Sequence, residues 1–455
     1  MTKYARPLLL ALCCAGACGG VEPTTSGPSP EPTPAPTRSV PLAMAVGEAG
    51  RARYVDGVAV YGGAPRLVSL DDGRPLLVWI SEEPGGTRIW SVRPRRDDTW
   101  PPPQAAPIDL PGTLARLEIA STHDGAVVVA MQNDGGVRKH WTVPIDSSGR
   151  PGAATPIDLG LNANFELSRD QRGSPLLAWA PSRERAVWIS RYDGAHWSER
   201  EQVGTDETGA GLFDVHVVSN GLGALRLLWV QDLSAHHPHA RLVGRRWTPG
   251  GWTPPVAVSG TVWYIDDVEA AAGPAGDVVA TWTWSIGPPP STLTGAYGLR
   301  DSEWRPDGPS VPHVASVRAL GVDRRGDAVA LVVRPEGDSD VFQAPAGIWA
   351  SRRTTAGWTP LERIETHEGA WLPAAPQLAV SSEGAALAAW RAAGGLWVNH
   401  RTRDRGWAVV RRVGTDVSGD VLAHHVAMAQ ENAWVAWSAY DGTRITVWAA
   451  RIDTR

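Results

Sequence analysis

Cysteine is missing from almost the whole chain: of 455 residues only Cys13, Cys14 and Cys18 carry a thiol, all within the first eighteen. A disulfide framework and a thiolate metal site are therefore excluded from the rest. Lysine is nearly absent too, with Arg outnumbering it 41 to 2; the arginines are scattered, which marks a compositional habit rather than a site. The formal net charge is −5, and more negative without Lys3 and Arg6, so neither a nucleic acid nor an anionic membrane surface is an expected partner. No zinc motif, phosphate loop, G-x-S-x-G elbow or spaced Cys/His set occurs, and neither a cofactor nor a metal is expected. The apolar run PLLLALCC (7–14) is too short to span a membrane.

Lys3 and Arg6 ahead of that run make 1–17 a secretory signal. The small residues Ala15-Gly16-Ala17 before Cys18 resemble a bacterial lipobox. The resemblance implies that Cys18 is diacylated at sulfur, becomes the mature N-terminus and anchors an exported protein to the bacterial cell envelope, at the outer membrane or the cell surface. The alternative is an ordinary signal cut at the same bond, leaving a soluble protein. A lone Cys at the mature start has no internal partner, which favours acylation. Residues 18–47 read as a tether, because seven Pro lie among Thr, Ser and Glu in 21–41. Such a stretch favours polyproline II, with a reach of roughly 65 Å at about 3.1 Å per residue. The globular part is then 48–455, long enough for one large, monomeric domain.

What the chain has in abundance is a period. A glycine followed six residues later by a bulky apolar residue recurs at Gly73/Trp79, Gly125/Met131, Gly173/Trp179, Gly223/Trp229, Gly276/Trp282, Gly326/Val332 and Gly384/Trp390, with Glu431/Trp437 closing the series. The spacing is about 50 residues with only short strand-like runs inside it, the signature of a β-propeller. Each repeat reads as four strands: an alternating run, the glycine turn, a wholly apolar run such as PLLVW (75–79), a third strand with an aromatic such as IWSVR (89–93), and a fourth after a turn ending in Trp100, Trp197, Trp252, Trp304, Trp358 or Trp407. The 23 Trp are thus mostly packing residues. The expected fold is an all-β single propeller of about eight four-stranded blades, seven being the alternative if the Met131 repeat is an embellishment. Residues 52–61, an alternating run, are expected to complete the last blade and close the ring.

The segments SLDDGRPLLVW (69–79) and SSEGAALAAW (381–390) resemble the Asp-box hairpins of sialidase-like propellers. The resemblance implies the fold and places no catalytic residue, since the Trp stands six residues after Gly rather than three.

Variation between repeats points to a site. Second-to-third loops are long in repeats four to six, at 231–241, 285–294 and 333–346, and share one face with the inter-blade connections. This sector carries Trp263, Tyr264, Asp266, Asp267, His236, His237, His239, Asp338, Asp340, His367 and Trp371, an expected surface for a glycan or protein ligand, with aromatic faces for sugar rings and carboxylates for hydroxyls. Pro238 breaks the helical spacing that would let His236, His237 and His239 share a metal. His424 and His425 adjoin in a strand, so their rings point to opposite faces and cannot chelate together. Two functions remain open: a tethered, non-catalytic binding or scaffold propeller, and a glycoside hydrolase or lyase using acids such as Asp266, Asp267, Asp338 and Asp340.

Overall fold

The computed structural model describes residues 44–454 apart from short stretches, the longer ones being 107–112, 220–224, 273–277, 286–291, 307–315, 336–345 and 366–373. All regular secondary structure among the described residues is β, and Val40–Arg455 forms one compact unit. Repeat three shows the plan. Asn164–Arg169, Pro175–Ala180, Ala186–Arg191 and Glu201–Thr205 form a four-stranded antiparallel meander in chain order. The inner strands of the eight repeats are Arg66–Ser69, Thr113–Thr122, Asn164–Arg169, Leu212–Ser219, Tyr264–Ala272, Ser316–Val322, Ala374–Val380 and Asp420–Ala429. Each contacts the next, and the last contacts the first, so they surround a common axis.

Counted as hydrogen-bonded sheets, the propeller has seven blades; the largest, eight-stranded, holds both the first and the last repeat. The Met131 repeat is a full member, with strands Thr113–Thr122, Gly125–Asp134, Val137–Asp146 and Thr155–Ile157. The expected strand at 52–61 does not join the last repeat. Arg53–Val55 and Val58–Val60 pair with each other, Val55 opposite Val58. The residues between them are Asp56-Gly57, a two-residue hairpin signal inside what reads as one alternating run. The strand beside Ile445–Ile452 is instead Met44–Gly50, with Met44 opposite Ala449 and Glu48 opposite Thr446. It begins inside 18–47, the stretch read as tether, and touches the first repeat through one parallel bridge, Gly50 to Glu82.

The periodic glycine has its expected cause. Gly73, Gly173, Gly326 and Gly384 have φ of 77°, 81°, 85° and 84°, and each donates its N–H to the carbonyl three residues back, on Leu70, Asp170, Asp323 and Ser381. A type I turn closed by a left-handed residue gives this hairpin, and glycine adopts that conformation without steric cost. The leading Asp finishes the turn: buried Asp170 Oδ1 accepts from the N–H of Arg172 and Ser174, and Asp323 Oδ1 from Arg325 and Asp327. At Gly384 an added Cβ would also lie 2.7 Å from Asp323 Oδ2 in the neighbouring repeat. Gly384→Ala is therefore expected to cost about 1–3 kcal/mol in urea unfolding; an unchanged midpoint would contradict the turn assignment.

The second strands are buried on both faces, as their apolar runs require. Leu76, Leu77, Val78 and Trp79 are fully buried, and every residue of Pro175–Ala180 is buried. Trp79, Trp179, Trp229, Trp390 and Trp437 are among the largest fully buried side chains. Two of them stack on the Trp opposite in the third strand, Trp79 on Trp90 at 6.4 Å and Trp437 on Trp448 at 6.3 Å. The turn Trps join repeats: Trp100 packs edge-on against Trp434, and Trp197 Nε1 donates to Thr142 Oγ1 at 2.9 Å.

Candidate functional site

Of the residues expected in the loop sector, His236, His237, Asp338, Asp340, His367 and Trp371 lie outside the described residues. Trp263 is half-buried just before the inner strand of repeat five, and Tyr264, 47% exposed, begins that strand. Asp266 and Asp267 belong to the same strand, at a register shift, rather than to a connection. His239 is half-buried, and its carbonyl accepts the Leu233 N–H at 2.7 Å. These residues arrive at the N-terminal ends of the inner strands, where a charged layer not singled out from the sequence begins.

That layer lies on the inner strands of repeats two to four. His216 stands between two carboxylates, with Nδ1 3.1 Å from Glu166 Oε2 and Nε2 3.3 Å from Asp214 Oδ1. Glu166 Oε1 accepts the N–H of Val217 at 3.2 Å, so its second oxygen is fixed on the imidazole. On repeat two, Arg116 Nε donates to Glu118 Oε1 at 3.1 Å while its guanidinium lies 4.8 Å over the Phe165 ring. Asp214 has a φ of 53° at the register shift between Phe213 and His216. A non-glycine residue in that region is strained, by about 1–3 kcal/mol, and such strain is concentrated where a side chain must be aimed.

A repeat-phase signal could have found this layer. The residue seven before the repeat glycine is Arg66, Glu166, His216, Glu269 and Gln377 in repeats one, three, four, five and seven, polar each time. All five hold the same register, opposite Val78, Ala178, Leu228, Thr281 and Ala389, each just before the periodic Trp.

Electrostatics decides what these groups can do. Burial alone would lower the His216 imidazole, but the polar contacts and charges of Asp214 and Glu166 push it up to about 10. Burial likewise opposes charge on Asp214, yet His216 and Arg116 hold its carboxyl below the usual value. His216 is therefore an imidazolium at neutral pH, a fixed donor rather than a proton acceptor. His424 and His425 do the opposite on the two sides of the last repeat's inner strand. His424 Nε2 lies 3.2 Å from Ala389 O of repeat seven, and His425 Nδ1 accepts the Leu67 N–H of repeat one at 3.2 Å. Burial lowers them to about 4 and about 3, the latter helped by Arg66 and His424. Both stay neutral and tie neighbouring repeats, so the expectation of rings pointing apart holds.

Toward the C-terminal ends of the inner strands the axis holds a cavity of about 590 Å³, lined by Ser168, Ser219, Ala270, Gly321 and Leu378 together with the turn residues Asp323 and Arg324. Over repeats one to three the same face, that of the first-to-second turns, carries a separate groove of about 690 Å³, with Asp71, His123, Asp124, Arg150 and Arg172. Among the described residues no group of three or more His, Cys, Asp or Glu is arranged to hold a metal ion.

No protein-family model matches the chain, and no curated protein matches it in sequence. Solved structures do resemble it at low identity. The polysaccharide lyase Uly1 is 11% identical with a TM-score of 0.46, over 91% of this chain and 99% of the lyase. A puromycin hydrolase is 13% identical with a TM-score of 0.49, over 86% of this chain and 61% of the hydrolase. The Aleuria aurantia lectin is 12% identical with a TM-score of 0.35, over 66% and 95%. What this chain shares with a lyase, a hydrolase and a lectin is a fold, the β-propeller, and a fold that serves such different activities does not select one of them.

Proposed function

We propose that this protein is an exported, lipid-anchored binding propeller without catalytic activity, whose ligand is a carbohydrate seated at the axial mouth between the inner strands of repeats two to four and the Trp263–Tyr264 edge of repeat five. The observation that supports it most is the commitment of His216, held charged between Glu166 and Asp214. His216 keeps its proton up to about 10 and His425 spends its Nδ1 on Leu67, so neither imidazole serves as a general base near neutral pH. Paired carboxylates, an imidazolium and a guanidinium make a fixed array of acceptors and donors for sugar hydroxyls, and Tyr264 stands exposed at its edge. Trp263→Ala is the direct test of the sector: loss of glycan binding with the thermal midpoint retained supports the reading, whereas unfolding would return Trp263 to packing.

The anchor is tested separately. Cys18→Ser is expected to move the protein from the detergent phase to the aqueous phase with its melting curve unchanged, since no described residue of the propeller is a cysteine. Equal partitioning of variant and wild type would contradict lipidation. We also propose that Met44–Gly50 is the latch of the ring, because it covers the otherwise open edge of Ile445–Ile452. Deleting 44–50 from the mature chain should lower the thermal midpoint by several degrees; an unchanged midpoint would mean that contacts between inner strands suffice.

A further inference from the structure

We infer that the axial wall admits neutral, hydroxyl-bearing saccharides and turns away polyanionic ones. This rests on the carbohydrate reading above and names the ligand class for the same site. The argument lies in how the cations of the wall are spent. Arg116 donates to Glu118 and lies on Phe165. His216 sits between Glu166 and Asp214. Arg66 Nε donates to the Leu117 carbonyl at 3.1 Å, and Arg318, on the inner strand of repeat six, is engaged as well. At the rim of the cavity below, Arg324 pairs with Glu383 at 3.0 Å. At Arg116, His216 and Arg324 a sulfate or uronate meets a cation already paired with a carboxylate at close range, and must break that pair before it gains one.

The acceptors are spent less completely. An ionised carboxylate offers about four lone-pair sites. Asp214 remains 39% exposed with His216 occupying one of its oxygens, and Glu118 keeps its second oxygen beyond the contact to Arg116. A sugar hydroxyl donates to such an oxygen without bringing charge of its own, and adjacent hydroxyls bridge neighbouring acceptors. The strained bulge at Asp214 holds that carboxylate in place before a ligand arrives. Beyond the charged layer, the small side chains of Ser168, Ser219 and Ala270 line a cavity of about 590 Å³, large enough for a pyranose ring, whose rim carries Asp323 and the paired Arg324.

The test is a glycan array presenting neutral, amino, uronic and sulfated oligosaccharides to the full-length protein, followed by calorimetric titration of the strongest neutral and strongest anionic binders. The expected result is that a neutral oligosaccharide binds best and that its affinity changes less than about twofold between 50 and 500 mM NaCl, as counterion release plays no part. Asp214→Asn and Glu118→Gln should each weaken it at least about tenfold. If Asp214→Asn unfolds the protein, Glu118→Gln carries the comparison, since Glu118 lies in regular strand. Tightest binding by an anionic glycan, strengthened by Asp214→Asn, would overturn the inference and leave the carbohydrate reading standing. No binding across the array would overturn both.

Discussion

Trp437→Ala is expected to destabilise the propeller by about 3–5 kcal/mol, the cost of emptying a buried indole site. Trp437 is 1% exposed in the middle of Asn432–Tyr440, stacked on Trp448 at 6.3 Å. Its cluster includes Leu387 and Val398 of repeat seven alongside Val426 and Val435 of its own repeat. Truncation therefore opens a cavity between two repeats, and neither can close over it alone because the second strands on both sides are already fully packed. The equilibrium urea unfolding curve should show a shift in midpoint with the slope retained. Trp263→Ala, at a half-buried site before repeat five, should cost under about 1 kcal/mol. Equal losses at the two positions would mean that the periodic Trp slots do not hold the ring together.

Acid should unfold the protein through its buried histidines before its carboxylates titrate. His140, His424 and His425 are lowered from 6.5 to about 4, about 4 and about 3, burial being the largest cause in each case. The unfolded chain binds these protons near pH 6.5 and the folded one does not, so their contribution is fully present above 6.5 and is lost as pH falls toward 4. At about 1.4 kcal/mol per unit of difference, several kcal/mol are at stake. His216 acts in the reverse sense: its pKa is raised to about 10, so its contribution is present below 6.5 and is lost as pH rises from there toward 10. A stability maximum near pH 6.5 follows. Below pH 4 the turn aspartates add to the loss; burial opposes charge on Asp146 and Asp206, but turn N–H groups and the hydroxyls of Ser148 and Thr208 hold both below the usual carboxylate value. His424→Gln, which keeps a donor for Ala389 O, should flatten the limb between pH 6.5 and 4 in a series of thermal midpoints. An unchanged limb would place the acid sensitivity elsewhere.

The glycine-to-Trp period was legible because one turn geometry and one buried slot recur in chemically similar form, and local sequence carries both. The outward-opposed His424 and His425 were legible for the same reason, since strand alternation alone fixes them. The hairpin at 53–60 was misread because Asp56-Gly57 interrupts an alternation that otherwise looks continuous. The charged layer is of a different kind. Glu118, Glu166 and His216 are about 50 residues apart, single polar residues in apolar surroundings. Glu166 and His216 meet only because successive repeats hold the same phase, so the signal lies in aligning repeats against the glycine rather than in any local motif. The loop sector attracted attention through length, which measures tolerance to insertion as much as function.

The central claim, a sugar held at the axial mouth and left intact, is tested most directly by hydrogen exchange with the best array ligand, read together with a mass spectrum of that glycan after incubation. The account predicts slowed exchange in Asn164–Arg169 and Leu212–Ser219 and an unaltered glycan. Protection confined to the turns around His123 and Arg172 on the opposite face, or shortened or unsaturated products in the spectrum, would contradict it.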